Sequence, residues 1–322
     1  MIEKLTDAQE AMKPEYIKRY IEIGTNTDRL DYDKTLDIVN AVQVELLNQE
    51  KTPVVIFDNP IEAWIACNYA ANGFRPNDLK SCVADFFTGK KPDFKIENFV
   101  FPSLCGCFDA SIFGFYDFFK NEVGVSFGDK TEKYDIWRRT CELGLIFNVH
   151  NVSDHDVCIV TEKPSLVKLN EQNRIHCDGG TAVEYAGEYE PIKIYALNGT
   201  VVPDWLAIEH SQAIDLEKYS TITNADAKME FVRKVGQERL LHLGTLVDSH
   251  LKYDKEWWTK SKYELWDMKA IFPTIDYAPH LKMLNQTTKV WHLEAVSPNC
   301  RLIQDAINDR LNRDDIEIVA IA

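Results

Sequence analysis

The sequence holds little that marks a familiar chemistry. It has no CxxC pair, no glycine-rich phosphate loop, no run of Lys and Arg, and no apolar stretch long enough to span a membrane. Each absence narrows the field. Cys105 and Cys107 of the CGC segment lack a second Cys/His pair at structural-zinc spacing, so no tetrahedral zinc site is expected there. The turn Asp58-Asn59-Pro60 lacks the glycines that let backbone amides cradle phosphate, so it is not read as a nucleotide site. A formal net charge of -15 disfavours a nucleic-acid-associated factor, which needs Lys and Arg gathered on one face. The opening MIEKLTDAQEAMKPEY has no apolar signal core, so a cytoplasmic setting is expected, with eight reduced cysteines that are mostly buried as apolar side chains.

What is present points to a folded α+β protein. At 322 residues, with 45% hydrophobic and 27% charged, the chain can bury a sizeable core. Residues 1 to 145 read as mainly helical. KPEYIKRYIEIG starts at a tolerated proline and keeps Ile17, Tyr20 and Ile21 on one side, and DYDKTLDIVNAVQVELLNQE places Leu36, Val39, Val42 and Leu46 at helical spacing. PVVIFDNPIEAWIACNYAANG reads as strand, turn and a helix closed by Gly73. CFDASIFGFYDFFKNEVGV sets Phe108, Ile112, Phe115, Tyr116 and Phe119 at i, i+4, i+7, i+8 and i+11, a stripe expected in the core, with Asp109 and Asp117 expected at a cap or on an exposed face.

From about residue 146 the hydrophobic period falls from helical to two. IFNVH, VCIVTEKP, LVKLN, RIH, TAVEY and IKIYALNG are short strand-like runs separated by turn residues, and Asn198-Gly199 is the strongest turn dipeptide in the chain. ITNADAKMEFVRKVG returns to a helix between an Asn224 N-cap and a Gly236 stop. TLVDSH, KYELWDM, APHLKMLNQ and KVWHLEAV restore strands, SPNCRLIQDAINDRLN is a closing helix and IEIVAIA a last strand. No Gly-, Pro- or Ser-rich linker intervenes, so a helical N-terminal region (1–145) packed with a β-rich α+β region (146–322) of short antiparallel strands, hairpins and helices is expected as one continuous globular body.

The order of LTDAQEAMKPEY, PVVIFDNPIEAW, FDASIFGFYDFF, the RIHCDGGTAVEY hairpin, LNGTVVPDWL and KVWHLEAV resembles a widespread bacterial and phage family of unknown function, over nearly the whole chain. Its hairpin signature, LHNxxGPAxxYxDG, is matched by His176, Gly180, Ala182 and Tyr185, and its later HVEGV-like strand by His292 and Glu294. Cys177 stands where that pattern has Asn, Thr181 where it has Pro, and Ala295 where it has Gly. The resemblance implies the α+β fold and an intracellular setting, and it carries no assigned reaction.

The candidate site residues lie in those two motifs. If RIHCD is extended, His176 and Asp178 at i and i+2 share a face, and His292 and Glu294 stand in the same relation in VWHLEAV. Brought together, these four could hold a divalent metal such as Zn²⁺, Mn²⁺ or Fe²⁺ and support a metal-dependent, hydrolase-like enzyme. The plainer reading has His176 tying down a turn made by Asp178, Gly179 and Gly180, with no metal and no cofactor evident. Cys177 could not take His176 as its base, because strand neighbours face opposite ways, whereas His150 or His292 could serve if folding brought one close. The other histidines, 155, 210, 242, 250 and 280, are isolated, and Trp257 and Trp258 are read as core or rim packing. The favoured function is an accessory or protein-binding module, and the metal-dependent enzyme is its rival.

Overall fold

The structure is a computed structural model describing residues 4–96, 103–104, 106–150, 156–253, 260–272, 275–284 and 291–311. Cys105, His155, Trp257, Trp258 and the expected last strand at 316–322 lie outside the described residues. The architecture is α+β, with helices in the N-terminal half and short antiparallel sheets in the C-terminal half, as the change of period indicates. Two compact units divide the chain, Met1–Gly199 and Thr200–Ala322.

In the first unit, α1 (Asp7–Gly24) begins six residues before Lys13, where the sequence suggests a start. A reciprocal capping box between Thr6 and Gln9 fixes that start, and Pro14 lies inside the helix rather than at its first turn. After α2 (Tyr32–Ala41), which runs into a π turn, β1 (Val54–Phe57) leads to α3 (Pro60–Ala71) as expected. Asn59 accepts from the backbone N–H groups of Ile61 and Glu62, and Pro60 takes the first helical position, where its missing N–H costs nothing. The next elements are α4 (Leu79–Phe87), β2 (Ser103–Leu104), α5 (Ala110–Asn121), α6 (Thr131–Arg139), β3 (Ile146–Val149) and β4 (Val157–Thr161). Their strands form one sheet in the order β1-β4-β3-β2, with β1 parallel to β4 and the other pairs antiparallel. Strands from either side of position 145 therefore share this sheet.

One face of the sheet packs on α3 and α4 through Phe57, Ile65, Tyr69, Leu79 and Ile159. The other packs on α2 through Ile38, Val39, Val54, Ile146 and Val160. Covered on both faces, β4 is buried at all five positions and reads as a continuous apolar run rather than an alternation. A second antiparallel sheet joins β5 (Leu166–Val167), β6 (Val183–Tyr185) and β7 (Ile192–Ile194), and β8 (Ala196–Leu197) follows. Asn198 and Gly199 both have positive φ, at 51° and 91°, as a type I′ turn demands.

The second unit opens with β9 (Thr200–Val201) and α7 (Asp204–Ile208). In α8 (Ala225–Val235), Asn224 caps the first turn and Gly236, at φ 84°, ends the helix, as the sequence suggests. Beyond α9 (Gln237–Leu240), the strands β10 (Thr245–Tyr253), β11 (Lys260–Asp267), β12 (Pro279–Leu284) and β13 (Trp291–Ala295) form an antiparallel meander. Tyr263, Leu265, Leu281 and Met283 on one face bury against Cys300 and against Ile303, Ala306 and Ile307 of α10 (Ile303–Leu311).

The RIHCDGG segment turns where its glycines suggest, and only Gly179 lies in the left-handed region, at φ 97°. A Cβ there would meet no atom within 4 Å, so a substitution would act through backbone strain alone. Gly179→Val should therefore lower stability by about 1 to 3 kcal/mol. Gly180→Val, whose Cβ would rest 3.5 Å from the Cys177 Sγ, should stay within about 0.5 kcal/mol of wild type. Urea denaturation of both variants checks the pair, and equal midpoints would refute the turn assignment.

Candidate functional site

The α5 helix is rotated about half a turn from its sequence expectation. Ala110, Phe113, Gly114, Asp117 and Phe118 are buried, whereas Phe108, Ile112, Phe115 and Tyr116 are exposed by 52%, 44%, 60% and 38%. Both sets have helical spacing. The buried one includes a glycine and an aspartate, which makes it look like the polar face, and two interactions explain why it is not.

The first is steric. The α1 and α5 helices run antiparallel, with Gln9 and Tyr16 bonded to Glu122 at one end and Gly24 against Cys107 and Ala110 at the other. A Cβ on Gly114 would sit 3.0 to 3.1 Å from the Tyr20 ring, and one on Gly24 would sit 3.1 Å from the Ala110 Cβ. Glycine at both positions lets the helices meet closely. The second is electrostatic. Asp117 accepts hydrogen bonds from the Tyr20 hydroxyl of α1 and, at 2.6 Å, from the Tyr134 hydroxyl of α6, with the Arg138 guanidinium 4.0 Å away. Burial and the adjacent carboxylate push both tyrosine hydroxyls above their ordinary pKa, so they remain donors at neutral pH.

Alongside this contact the two helices line an apolar groove of about 650 Å³, whose walls include Tyr16, Ile17, Ile21, Phe108, Phe115 and Phe119. That volume lies in the usual range for ligand sites. On the opposite flank of α5, Tyr116, Phe127, Tyr134 and Trp137 line a shallower hollow of about 500 Å³, together with Lys130 and Lys133. The α5 helix is thus an aromatic ridge between two apolar depressions. From Ala110 to Phe119 its one charged residue is Asp117, which faces inward.

The residues singled out from the sequence have other surroundings. His176 is half-buried. Its Nδ1 accepts from the Asn198 N–H at 3.0 Å and its own backbone N–H donates to the Lys168 carbonyl at 2.9 Å, so the residue links the segment after β5 to the turn after β8. With Nδ1 an acceptor, the proton of the neutral ring lies on Nε2. Asp178 stands in the turn itself and Ile175 makes a single bridge to Leu169, so His176 and Asp178 are not alternate residues of one strand. The Cys177 Sγ lies 3.6 Å from the Lys168 ammonium. In the second unit β13 is extended as expected, which sets His292 and Glu294 on one face. Glu294 accepts from Arg310 of α10 at 2.7 Å, and His292 is exposed opposite Met283. The two motifs belong to different units. Among the described residues, no three His, Cys, Asp or Glu side chains group as a metal-holding set.

Three further groups complete the inventory. His150 pairs with Asp156 at 2.8 Å on the surface. Burial pushes the Cys107 thiol up to about 11, which keeps it protonated at neutral pH. A serine nucleophile is disfavoured from the sequence for want of a GxSxG motif, but Gly124-Val-Ser-Phe-Gly128 does have the GxSxG spelling of a nucleophile elbow. It follows a helix rather than a strand, and the exposed Ser126 Oγ accepts from the Gly128 N–H at 3.1 Å, so it serves the local turn. No family model, curated protein or solved structure matches this chain.

The Asp117 cluster gives a direct test of this packing. Asp117→Ala strands two buried hydroxyls and a guanidinium and should destabilise the first unit by about 3 to 5 kcal/mol. Tyr20→Phe, which removes one donor, should cost about 1 to 2 kcal/mol. Denaturation followed by tryptophan fluorescence measures both, and an Asp117→Ala loss below that of Tyr20→Phe would contradict the shared-acceptor geometry.

Proposed function

We propose that this protein is a binding module that engages another protein through the α1–α5 face of its first unit. One observation carries the reading. Phe108 just before α5, Ile112, Phe115 and Tyr116 on it, and Ile17 of α1 at 57% exposure all face solvent, and Phe108, Phe115 and Ile17 also line a formed groove. Exposed apolar residues scattered singly are ordinary, but a contiguous set beside a concavity marks an interaction surface. Its composition also fits, since interface centres are rich in aromatics and poor in charge. The His176 and Glu294 contacts are accounted for by the turn and by α10, so neither adds to the metal-dependent alternative. No described helix is long and apolar enough to cross a membrane. Seven free thiols among the described residues, five of them buried, support a cytoplasmic setting as part of the same proposal.

A photo-crosslinking residue at Ile112 should capture a discrete protein adduct in extract of the native cells. The same residue at Met229, exposed on α8 of the other unit, should not. Phe115→Glu should abolish the adduct while leaving the melting temperature within a few degrees. An identical adduct pattern at both positions, or none at Ile112, would overturn the reading.

A further inference from the structure

We infer that the occupant of the α1–α5 groove is a single amphipathic α-helix of about three turns with an uncharged apolar side, supplied by a partner protein. The inference rests on the binding-module reading and specifies what binds.

Three observations select this occupant. The first is hydrogen bonding. The helices α1 and α5 form most of the groove, with backbone groups satisfied internally, and Leu5, Leu169 and Asn173 join a lining that is mainly apolar. An extended segment laid there would bury backbone N–H and C=O groups with nothing to meet them, whereas a helix satisfies its own. The second is length. The exposed ridge from Phe108 to Phe119 spans eleven residue steps, or about 16 Å at 1.5 Å per residue. A partner helix of roughly three turns matches it, with anchors near i, i+4, i+7 and i+11 falling along the groove.

The third is area, which distinguishes one helix from a second copy of this chain. Scaled by their exposures, Phe108 and Phe115, the most exposed aromatics of the groove, offer about 220 Å². Ile17 brings this to roughly 320 Å². A stable dimer needs about 800 Å² from each partner. These side chains supply less than half of that, which suits one docked helix. Charge agrees: on a chain of net charge -15 this ridge exposes no ionised side chain between Ala110 and Phe119, and the charged residue in the groove lining, Lys13, is already paired with Glu10 at 2.7 Å, so the docked side of the partner should be uncharged.

The test uses the full chain and a panel of hydrocarbon-stapled 14-residue peptides. Each carries Leu, Ile, Met or Phe at i, i+4, i+7 and i+11 and Gln or Ser elsewhere, so that binding does not rest on attraction to the acidic protein. At least one stapled peptide should bind with a micromolar Kd by fluorescence anisotropy. Its unstapled form with a central proline should bind at least tenfold more weakly, and Phe115→Glu and Ile17→Glu should each weaken it at least tenfold. Met229→Glu should leave it unchanged. Equal binding of the proline form would overturn the helix while leaving the groove. So would a groove that takes the dye 8-anilinonaphthalene-1-sulfonate but no peptide, with the dye signal lost in Phe115→Glu. Light scattering that shows a dimer, converted to monomer by Phe115→Glu, would assign the face to a second copy. Absence of both peptide and dye binding would overturn the groove reading and this inference together.

Discussion

The Asp117 carboxylate decides how α5 sits in the first unit. Moving an ionised carboxylate out of water costs several kcal/mol unless donors replace the lost hydration. Tyr20 from α1 and Tyr134 from α6 supply two such donors, and Arg138 supplies a nearby opposite charge. Three helices are thereby tied at one point. At 100° per residue, the positions around Asp117 and those around Phe115 lie on opposite sides of the helix. Burying the first set therefore exposes the second, so a polar requirement in the core creates an apolar face on the surface.

What was legible in the sequence follows from the range of the signals. The strand, turn and helix around Asn59-Pro60, the α8 caps at Asn224 and Gly236, and the Asn198-Gly199 turn rest on neighbouring residues, and they were readable in order. The rotation of α5 was not. Its sequence contains two helical stripes, and the choice between them is made by Tyr20, 97 residues before Asp117, and Tyr134, 17 residues after it. Apolar periodicity favoured the stripe with more aromatics, because counting hydrophobic side chains gives a glycine and an aspartate no credit for close approach or for waiting donors. The start of α1 was misplaced for a related reason: a capping box outweighed a proline.

The histidines show the converse error, in which a local pattern suggests more chemistry than its surroundings use. His176 beside Cys177, Asp178 and two glycines has the residue types of a site. In the structure its Nδ1 accepts a backbone N–H from the Asn198 turn, 22 residues on, and its backbone N–H is bonded to Lys168. A histidine so placed holds the end of β5 in register with the Asn198-Gly199 turn. Glu294 likewise meets Arg310 and joins the last described helix to the edge of its sheet.

The groove owes its depth to a contrast in residue size. Where α1 and α5 touch, the contact is made by Gly24, Ala110 and Gly114, which bring the backbones close. Above that floor the walls rise through Ile17, Phe115 and Phe119. Two helices with large residues at the contact would stand apart on a filled interface and leave a flatter surface. With small residues below and large ones above, the same pair encloses a trough with a close-packed floor and apolar rims. Larger side chains at Gly114 would push Tyr20 from the Asp117 oxygen as they filled the trough, because the Tyr20 ring lies directly over that glycine. The cavity, the close helix contact and the buried carboxylate are consequently one arrangement, and none of the three can be altered without disturbing the others.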